Sequence, residues 1–190
     1  IGICGTDLHA FGGTQPYFTY PRILGHELAA EIVISSQPDK FQPGELVTIM
    51  PYLNCGACLA CRSGKGNCCT KMQVFGVHRD GGMANYLQLP TRLLIKGDGL
   101  SLDELALIEP LAIGAHGIKR AGIIPGEVVM VIGAGPIGLG AISFAKIAGA
   151  RVIAMDINSE RLEFCRRELR VDHIIDASKE SAFEILKEVT

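Results

Sequence analysis

Two patterns of hydrophobic and polar residues divide the chain. Up to about residue 100, short apolar runs such as AAEIVIS, ELVTIM and ANYLQLP are separated by Gly, Pro, Asn and Asp, which predicts the strands of an irregular β domain. The stretch SLDELALIEPLAIGAHGIKRAG then repeats its apolar residues at helical spacing, with Ser101 as candidate N-cap and Gly122 as candidate end. We therefore expect a first, β-rich domain over residues 1–122.

From Pro125 onward, predicted strands and helices alternate. The strands and helices expected there are Val128–Ile132, Ile137–Ala148, Arg151–Met155, Ser159–Leu169, His173–Ile175 and Ala182–Val189, in that order and beginning with a strand. Such alternation is typical of a parallel sheet with crossover helices, so residues 123–190 are predicted to form an α/β domain. Three strands are half of a doubly wound sheet, which predicts that the sequence is an internal piece of a longer polypeptide.

Composition narrows the class of protein. The chain has 190 residues, is 48% hydrophobic and carries a formal net charge of -2, which suits a globular protein without nucleic acid or an anionic membrane as partner. No charged-then-apolar signal segment is visible, so a cytoplasmic location is expected. The stretch from Val128 to Ala145 just reaches the length of a membrane span, but its four glycines and its proline favour a strand, a turn and a helix.

Five of the seven cysteines lie between positions 54 and 69, in NCGACLACRSGKGNCC. Cys55, Cys58, Cys61 and Cys69 have the spacing C-x2-C-x2-C-x7-C, which lets four thiolates turn inward around one tetrahedral zinc ion. A disulfide cluster would need an oxidising compartment, and a catalytic thiol would not need four companions. The spacing predicts a structural zinc site and leaves open whether Cys68 or Cys69 is the fourth ligand.

Two further stretches, CGTDLH from Cys4 and GHE from Gly25, contain a thiol, an imidazole and carboxylates. Taken singly, each of these groups is an ordinary surface or core residue. Together they form the mixed ligand set of a catalytic zinc ion that keeps one coordination position free.

The sequence GAGPIG follows the β-branched run from Val128 and opens a predicted helix, and Asp156 stands at the end of the next strand. This context predicts a dinucleotide site in which glycines let the backbone approach a pyrophosphate. A carboxylate at Asp156 would bind ribose hydroxyls and repel a 2′-phosphate, which favours NAD over NADP. The predicted contacts in the loop are Gly133, Gly135, Pro136, Ile137 and Gly138.

In chain order, GICGTDLH, YPRILGHE, the four-cysteine stretch, DGGMANY, IEPLAIGAH and VIGAGPIGLGA resemble the motifs of the zinc-containing medium-chain alcohol dehydrogenases. The similarity is greatest to their polyol (sorbitol), threonine and L-galactonate dehydrogenase branch. It implies a GroES-like irregular β-barrel catalytic domain followed by a partial Rossmann sheet, with the chain truncated at both ends. It also implies two zinc ions per chain, NAD, a small alcohol or polyol substrate, and a homodimer or homotetramer. One departure is Ala30, where the family usually has glycine.

The resemblance also implies roles for individual residues. Cys4 and His26 match the ligands of the catalytic zinc, and Glu27 and Glu109 match acids that reach that metal directly, intermittently or through water. Thr6 and His9 match a proton relay, the alternatives being a turn-capping hydroxyl and an exposed imidazole. Cys69 matches the fourth structural ligand, and Arg161 matches a cation on the adenosine ribose, the alternative being a solvent-facing arginine.

These observations predict a zinc-dependent oxidoreductase that oxidises a secondary alcohol of a polyol, sugar acid or hydroxy amino acid to a ketone, with hydride transfer to NAD. A zinc-free quinone or enone reductase of the same superfamily is a weaker hypothesis, because such enzymes lack the metal ligands found here. Two other hypotheses stay open: a catalytically silent zinc- and nucleotide-binding fragment, and a related zinc enzyme working as an aldehyde or ketone reductase.

Overall fold

A computed structural model describes residues 1–179 and 181–189. The chain forms two compact units, Ile1–Glu109 and Pro110–Thr190. The domain boundary predicted at residue 122 stays a prediction. The helices and strands of the first unit are α1 (Gly5–Phe11), β1 (Ala29–Glu31), β2 (Leu46–Ile49), β3 (Tyr52–Leu53), α2 (Leu59–Arg62), β4 (Gln73–Val74), β5 (Leu94–Lys96) and α3 (Leu102–Ala106).

The first unit is built on an antiparallel sheet in the order β1-β2-β5. Ala30 pairs with Val47, which pairs with Lys96, and the buried face packs over a cluster that includes Leu28, Phe41 and Val47. Burying these apolar side chains stabilises the sheet and fixes its register, because a slip by one residue would turn them to the solvent.

The expected β-barrel is not closed in the described part of this unit. Its sheets have three strands and two strands, which is too few for a sheet to curl round and pair with itself. The strand expected in ANYLQLP is also wrong, since residues 84–90 belong to no strand and Tyr86 is exposed. The strand expected in AAEIVIS is limited to Ala29–Glu31.

The helix expected after Ser101 is interrupted once. Ser101 caps α3 through a reciprocal pair with Glu104, whose N–H donates to Ser101 Oγ and whose Oε2 accepts from Ser101 N at 2.8 Å. The chain leaves the helix at Leu107 and enters α4 (Ile108–Ala121), which places Pro110 in a first turn where its missing N–H costs little. Gly122 follows α4 with a φ of +67°, a conformation that favours glycine.

The strand–helix alternation predicted for the second unit is confirmed. Its parallel sheet has the order β6-β7-β8, and its remaining elements are β6 (Val128–Ile132), α5 (Pro136–Ile147), β7 (Arg151–Asp156), α6 (Ser159–Glu168), β8 (His173–Asp176) and α7 (Ala182–Val189). A core around Ile142, Val152 and Leu162 joins helices to sheet. The stretch considered as a membrane span divides into β6 and α5, and every helix of the described residues is too short or too polar to cross a bilayer.

An aspartate outside the sheet fixes the beginning of β7. Asp172 Oδ2 accepts hydrogen bonds from the backbone N–H of Val152 at 2.7 Å and from Lys146 Nζ at 2.9 Å. Both donors lower the pKa of Asp172, the backbone N–H most of all. The carboxylate therefore supports the fold in its ionised form.

Candidate active site and metal centres

Three of the predicted zinc ligands lie together in the first unit. Cys4 stands at the N-terminus of α1, and His26 and Glu27 lie on the extended segment that leads into β1. Their ligand atoms are all within 4.8 Å of one another, and His26 and Glu27 are buried. A thiol, an imidazole and a carboxylate at such separations could bind one metal ion and leave a fourth position free.

Asp7 joins the two segments that carry these ligands. Its side chain is 2% exposed; Oδ2 accepts from Cys4 N at 2.9 Å and Oδ1 accepts from Gly25 N at 3.1 Å. Oδ1 also lies 3.7 Å from His26 Nδ1, so the same carboxylate faces the imidazole. Sequence reasoning missed Asp7, although an acid three residues after a helix N-cap is the signal of a capping box.

Close backbone contacts shape the segment that carries His26 and Glu27. Gly25 has a φ of +96°, and a Cβ added to Gly81 would lie 2.3 Å from the Gly25 carbonyl oxygen. A Cβ added to Gly2 would lie 2.0 Å from Glu27 Oε2. Gly81 and Gly2 therefore leave the space that the ligand segment occupies, a role that the sequence pattern did not predict.

The electrostatics of this site favour a cation. Burial raises the pKa of Glu27, His26 lowers it, and the neighbouring carboxylates of Glu109 and Asp7 raise it again. His26 Nδ1 is buried and has no hydrogen-bond partner. Buried acids and an unsatisfied imidazole nitrogen are costly without a compensating charge, so the residues present fit a divalent metal ion.

The structure places Glu109 beside this set but outside it. Glu109 is buried at the beginning of α4 and is not one of the ligand atoms within the 4.8 Å limit. Its Oε1 accepts a hydrogen bond from the Tyr52 hydroxyl. Burial and this carboxylate raise the pKa of Tyr52 well above its usual range, so the phenol acts as a donor. Sequence reasoning did not single out Tyr52.

The two predicted relay residues lie on α1. Thr6 is half-buried and His9 is exposed, and residues three apart share one face of a helix. His9 Nδ1 lies 3.4 Å from the Thr14 hydroxyl. The arrangement leads from a half-buried hydroxyl to an imidazole in solvent, and the relay role itself stays a prediction.

Four thiols converge in the cysteine-rich stretch. The sulfur atoms of Cys55, Cys58, Cys61 and Cys69 lie within 4.8 Å of one another, and Cys68 is exposed and outside this group. All seven cysteines of the chain are free thiols, so the structure contains no disulfide among them. Backbone N–H groups already point at the sulfurs: Cys69 Sγ accepts from Cys55 N and from Lys71 N, each at 3.3 Å.

The acidity of these thiols supports the fit to a metal. Backbone N–H groups, of Cys61 first and then Thr70, lower the pKa of Cys58 to about 6. Desolvation and then Cys58 itself raise the pKa of Cys61 to about 11. The two sulfurs lie 3.4 Å apart, and two thiolates at that distance repel each other unless a cation lies between them. Four thiolates on one divalent ion would make a closed, structural site.

The loop between β6 and α5 has the form expected for dinucleotide binding. Gly133 has a φ of +98°, and its N–H donates to Met155 O at 2.7 Å. A Cβ added to Gly138 would lie 1.8 Å from the Gly133 carbonyl oxygen, so only glycine fits there. Gly135 is open, and α5 begins with Pro136, which has no N–H, so the first backbone donor of the helix that an anion could meet is that of Ile137.

Asp156 ends β7 next to this loop. Its Oδ2 accepts from Ala134 N at 2.6 Å and its Oδ1 accepts from Asn158 N at 2.9 Å. These two donors, Ala134 first, lower the pKa of Asp156, so the carboxylate is ionised at neutral pH. Arg161 lies on α6, with Nη1 4.0 Å from the position of a Cβ at Gly135. A cation and a carboxylate thus flank the glycine loop.

Comparison with known proteins now identifies the family. A sequence profile described as "Alcohol dehydrogenase GroES-like domain" matches residues 1–99, and a second, "Zinc-binding dehydrogenase", matches residues 136–190. The chain belongs to the zinc-containing alcohol dehydrogenase family. The resemblance inferred from the motifs is therefore confirmed.

Relatives within the family agree along almost the whole chain. L-Galactonate-5-dehydrogenase of Escherichia coli (strain K12) is 48% identical over 95% of this chain and 53% of its own length. An alcohol dehydrogenase from E. coli CFT073 complexed with NADH has a TM-score of 0.90, 34% identity, and coverage of 99% of this chain and 56% of that one. A putative zinc-binding dehydrogenase from Sinorhizobium meliloti 1021 bound to NADP has a TM-score of 0.89 at 34% identity, covering 96% and 54%. The chain spans about half the length of the curated relatives it matches.

Proposed function

We propose that the protein is a zinc-dependent oxidoreductase that oxidises a secondary alcohol to a ketone with hydride transfer to NAD, the substrate being a polyol, a sugar acid or a hydroxy amino acid. The observation that carries this proposal is the placement of Cys4, His26 and Glu27 ligand atoms within 4.8 Å of one another. Membership of the family and the dinucleotide loop support the same conclusion.

Different residues of the chain would bind the metal and transfer the proton. Cys4, His26 and Glu27 would hold the zinc ion, which supplies a Lewis acid for the alcohol function. The alcohol loses one proton and one hydride; Thr6 and His9 would carry the proton towards solvent, because a hydroxyl can accept and donate and an imidazole titrates near neutral pH. NAD, held by the glycine loop and Asp156, would supply the acceptor for the hydride.

The cofactor preference is proposed from Asp156. Its carboxylate is ionised and stands beside the glycine loop, where it would accept hydrogen bonds from ribose hydroxyls and repel a 2′-phosphate. Arg161 is a candidate contact to the same ribose. Titration with NADH and NADPH tests this preference: we expect tighter NADH binding, and equal affinities would contradict the role given to Asp156.

The decisive experiment measures NADH formation on adding polyols, aldonates and hydroxy amino acids to the zinc-loaded complete gene product. We expect activity that a chelator removes and that Cys4→Ala abolishes. Cys68→Ala is the matched control, because this exposed thiol is outside both metal sets. An activity that resists the chelator would refute the proposal.

A second candidate is a zinc- and nucleotide-binding fragment without turnover. It is favoured by one observation, namely that the chain spans about half the length of its curated relatives. NAD titration and turnover measured on the 190-residue chain and on the complete gene product separate the two. Equal activity in both would exclude the fragment. A preference for ketone reduction, a dimer or tetramer, and a cytoplasmic location stay predictions.

A further inference from the structure

Tyr52 lies just before the four-cysteine stretch in sequence and contacts Glu109 through its hydroxyl. It is on β3, directly before the four-cysteine stretch, and is half-buried. Its hydroxyl donates to Glu109 Oε1, and Cys4 and Glu27 are among the neighbours whose charges act on it. Tyr52 therefore lies close to the Cys4–His26–Glu27 set without belonging to it, and its hydroxyl is bonded to Glu109 instead.

The three buried acids around that set have different partners. Asp7 accepts from two backbone N–H groups, and Glu27 is within the 4.8 Å group. Glu109 is 8% exposed and accepts from the Tyr52 phenol. A hydrogen bond to a buried carboxylate is stronger than one between neutral groups, enough to bias two positions of that carboxylate by about 10-fold or more.

We propose that Tyr52 is a positioning residue that holds Glu109 beside the Cys4–His26–Glu27 set and prevents it from joining the metal as a permanent fifth ligand that crowds the fourth position. The fourth coordination position is then kept for the alcohol. This inference rests on the proposed function, in which that set binds zinc and substrate. In this inference, Glu109 is a negative charge close to the metal, and the hydrogen bond from Tyr52 sets the distance between the Glu109 carboxylate and the metal.

The position of Tyr52 is itself fixed by the four-cysteine stretch. Tyr52 pairs with Val74 in the ladder between β3 and β4, and these two strands flank Cys55 to Cys69 on either side. The fold of that stretch therefore determines where the phenol points. A metal in the four-cysteine set would support the neighbouring site through this one hydroxyl.

The test exchanges cobalt(II) into the Cys4–His26–Glu27 set of the zinc-loaded protein, with zinc retained by the four cysteines. Visible absorption of cobalt is strong in four-coordinate sites and weaker in five-coordinate ones, so it reports the number of ligands without turnover. In Tyr52→Phe, Glu109 is released towards the metal. We expect weaker cobalt bands, about 10-fold slower metal loss to EDTA, and a KM for the alcohol that rises more than kcat falls.

Two comparisons make this test specific. Tyr86→Phe, which removes the hydroxyl of an exposed tyrosine, should match the wild type in every measurement. Glu109→Gln added to Tyr52→Phe should restore the four-coordinate spectrum, because an amide binds the metal poorly. Unchanged cobalt bands and EDTA rates in Tyr52→Phe would overturn the inference, as would a change that persists after Glu109→Gln. A wild type that binds no cobalt at this set would overturn the proposed function instead, and the inference with it.

Loss of folding would not leave the question open. If Tyr52→Phe alone fails to accumulate as folded protein, the double variant with Glu109→Gln carries the test, since it also removes the buried charge that the phenol satisfied. Recovery of folded, metal-binding protein would support the pairing of Tyr52 with Glu109. Persistent loss would overturn the inference, because it would show that folding needs the Tyr52 hydroxyl for a reason other than its bond to Glu109.

Discussion

Asp7→Asn perturbs the contact that holds the two ligand segments together. The wild-type carboxylate accepts from Cys4 N at 2.9 Å and from Gly25 N at 3.1 Å. Asparagine has the same shape, but one of its two terminal atoms is a donor, so one of these N–H groups must face another N–H. The variant therefore tests hydrogen bonding and charge with little change in volume.

The expected magnitude follows from burial. Asp7 is 2% exposed, so water cannot replace the lost acceptor, and losing a buried bond to a charged group lowers the free energy of unfolding by about 2–4 kcal/mol. Removing the charge also relieves Glu27, whose pKa is raised by burial and further by Asp7, so the loss should be smaller without zinc. Removing an outer neighbour of a metal ligand weakens metal binding by about 10–100-fold.

Urea titration followed by circular dichroism, with and without zinc, measures these changes, and chelator competition measures the zinc affinity. Asp80→Asn is the matched control: Asp80 also accepts from a backbone N–H, that of Ile23 at 3.1 Å, but its side chain is 60% exposed. We expect that control to change stability by less than about 1 kcal/mol. Equal losses in the two variants, or an Asp7→Asn protein as stable as the wild type, would refute the reasoning.

Three further predictions concern other parts of the molecule. Gly138→Ala should lower the free energy of unfolding by more than about 2 kcal/mol and abolish dinucleotide binding, because the added Cβ would lie 1.8 Å from the Gly133 carbonyl oxygen. Its control, Gly135→Ala, should fold normally and only weaken dinucleotide binding. Similar stability of the two variants in urea would contradict this prediction. Cys69→Ser should lose one zinc ion by elemental analysis and Cys68→Ser none, and the reverse result would exchange their roles. The folded state lowers the pKa of Asp172, so this carboxylate stabilises the fold above its unfolded pKa of about 3.9, and the stabilisation is lost as the pH falls through the folded pKa. The difference in urea midpoint between wild type and Asp172→Asn should therefore shrink on acidification. A difference that does not change with pH would refute the prediction.

The convergence of the four cysteines and the form of the glycine loop could be predicted because their spacing is local. The four cysteines lie within one short stretch, and Gly133 to Gly138 span a single turn between strand and helix. At such separations the residue types largely decide which atoms can meet. The same is true of the strands and helices of the second unit, where continuous apolar runs such as VVMVI alternate with stretches whose apolar residues recur at helical spacing.

The contacts that support the ligands could not be predicted in the same way. Tyr52 and Glu109 are far apart in sequence, and their hydrogen bond depends on how the whole first unit packs. The strand expected in residues 84–90 failed for a related reason: an alternating pattern shows which face is apolar but does not supply a partner strand. Asp7 is the exception, because its spacing from Cys4 is that of a helix cap.

All seven residues grouped in the two metal sets lie between Cys4 and Cys69, and each set draws on a short segment of the polypeptide. Bringing together the ends of a short loop costs little conformational entropy, and that cost grows only slowly with length. Both ions could therefore be captured while a ribosome is still making the nucleotide-binding half. Metal supply during translation, rather than cofactor supply, would then set the yield of correctly folded protein.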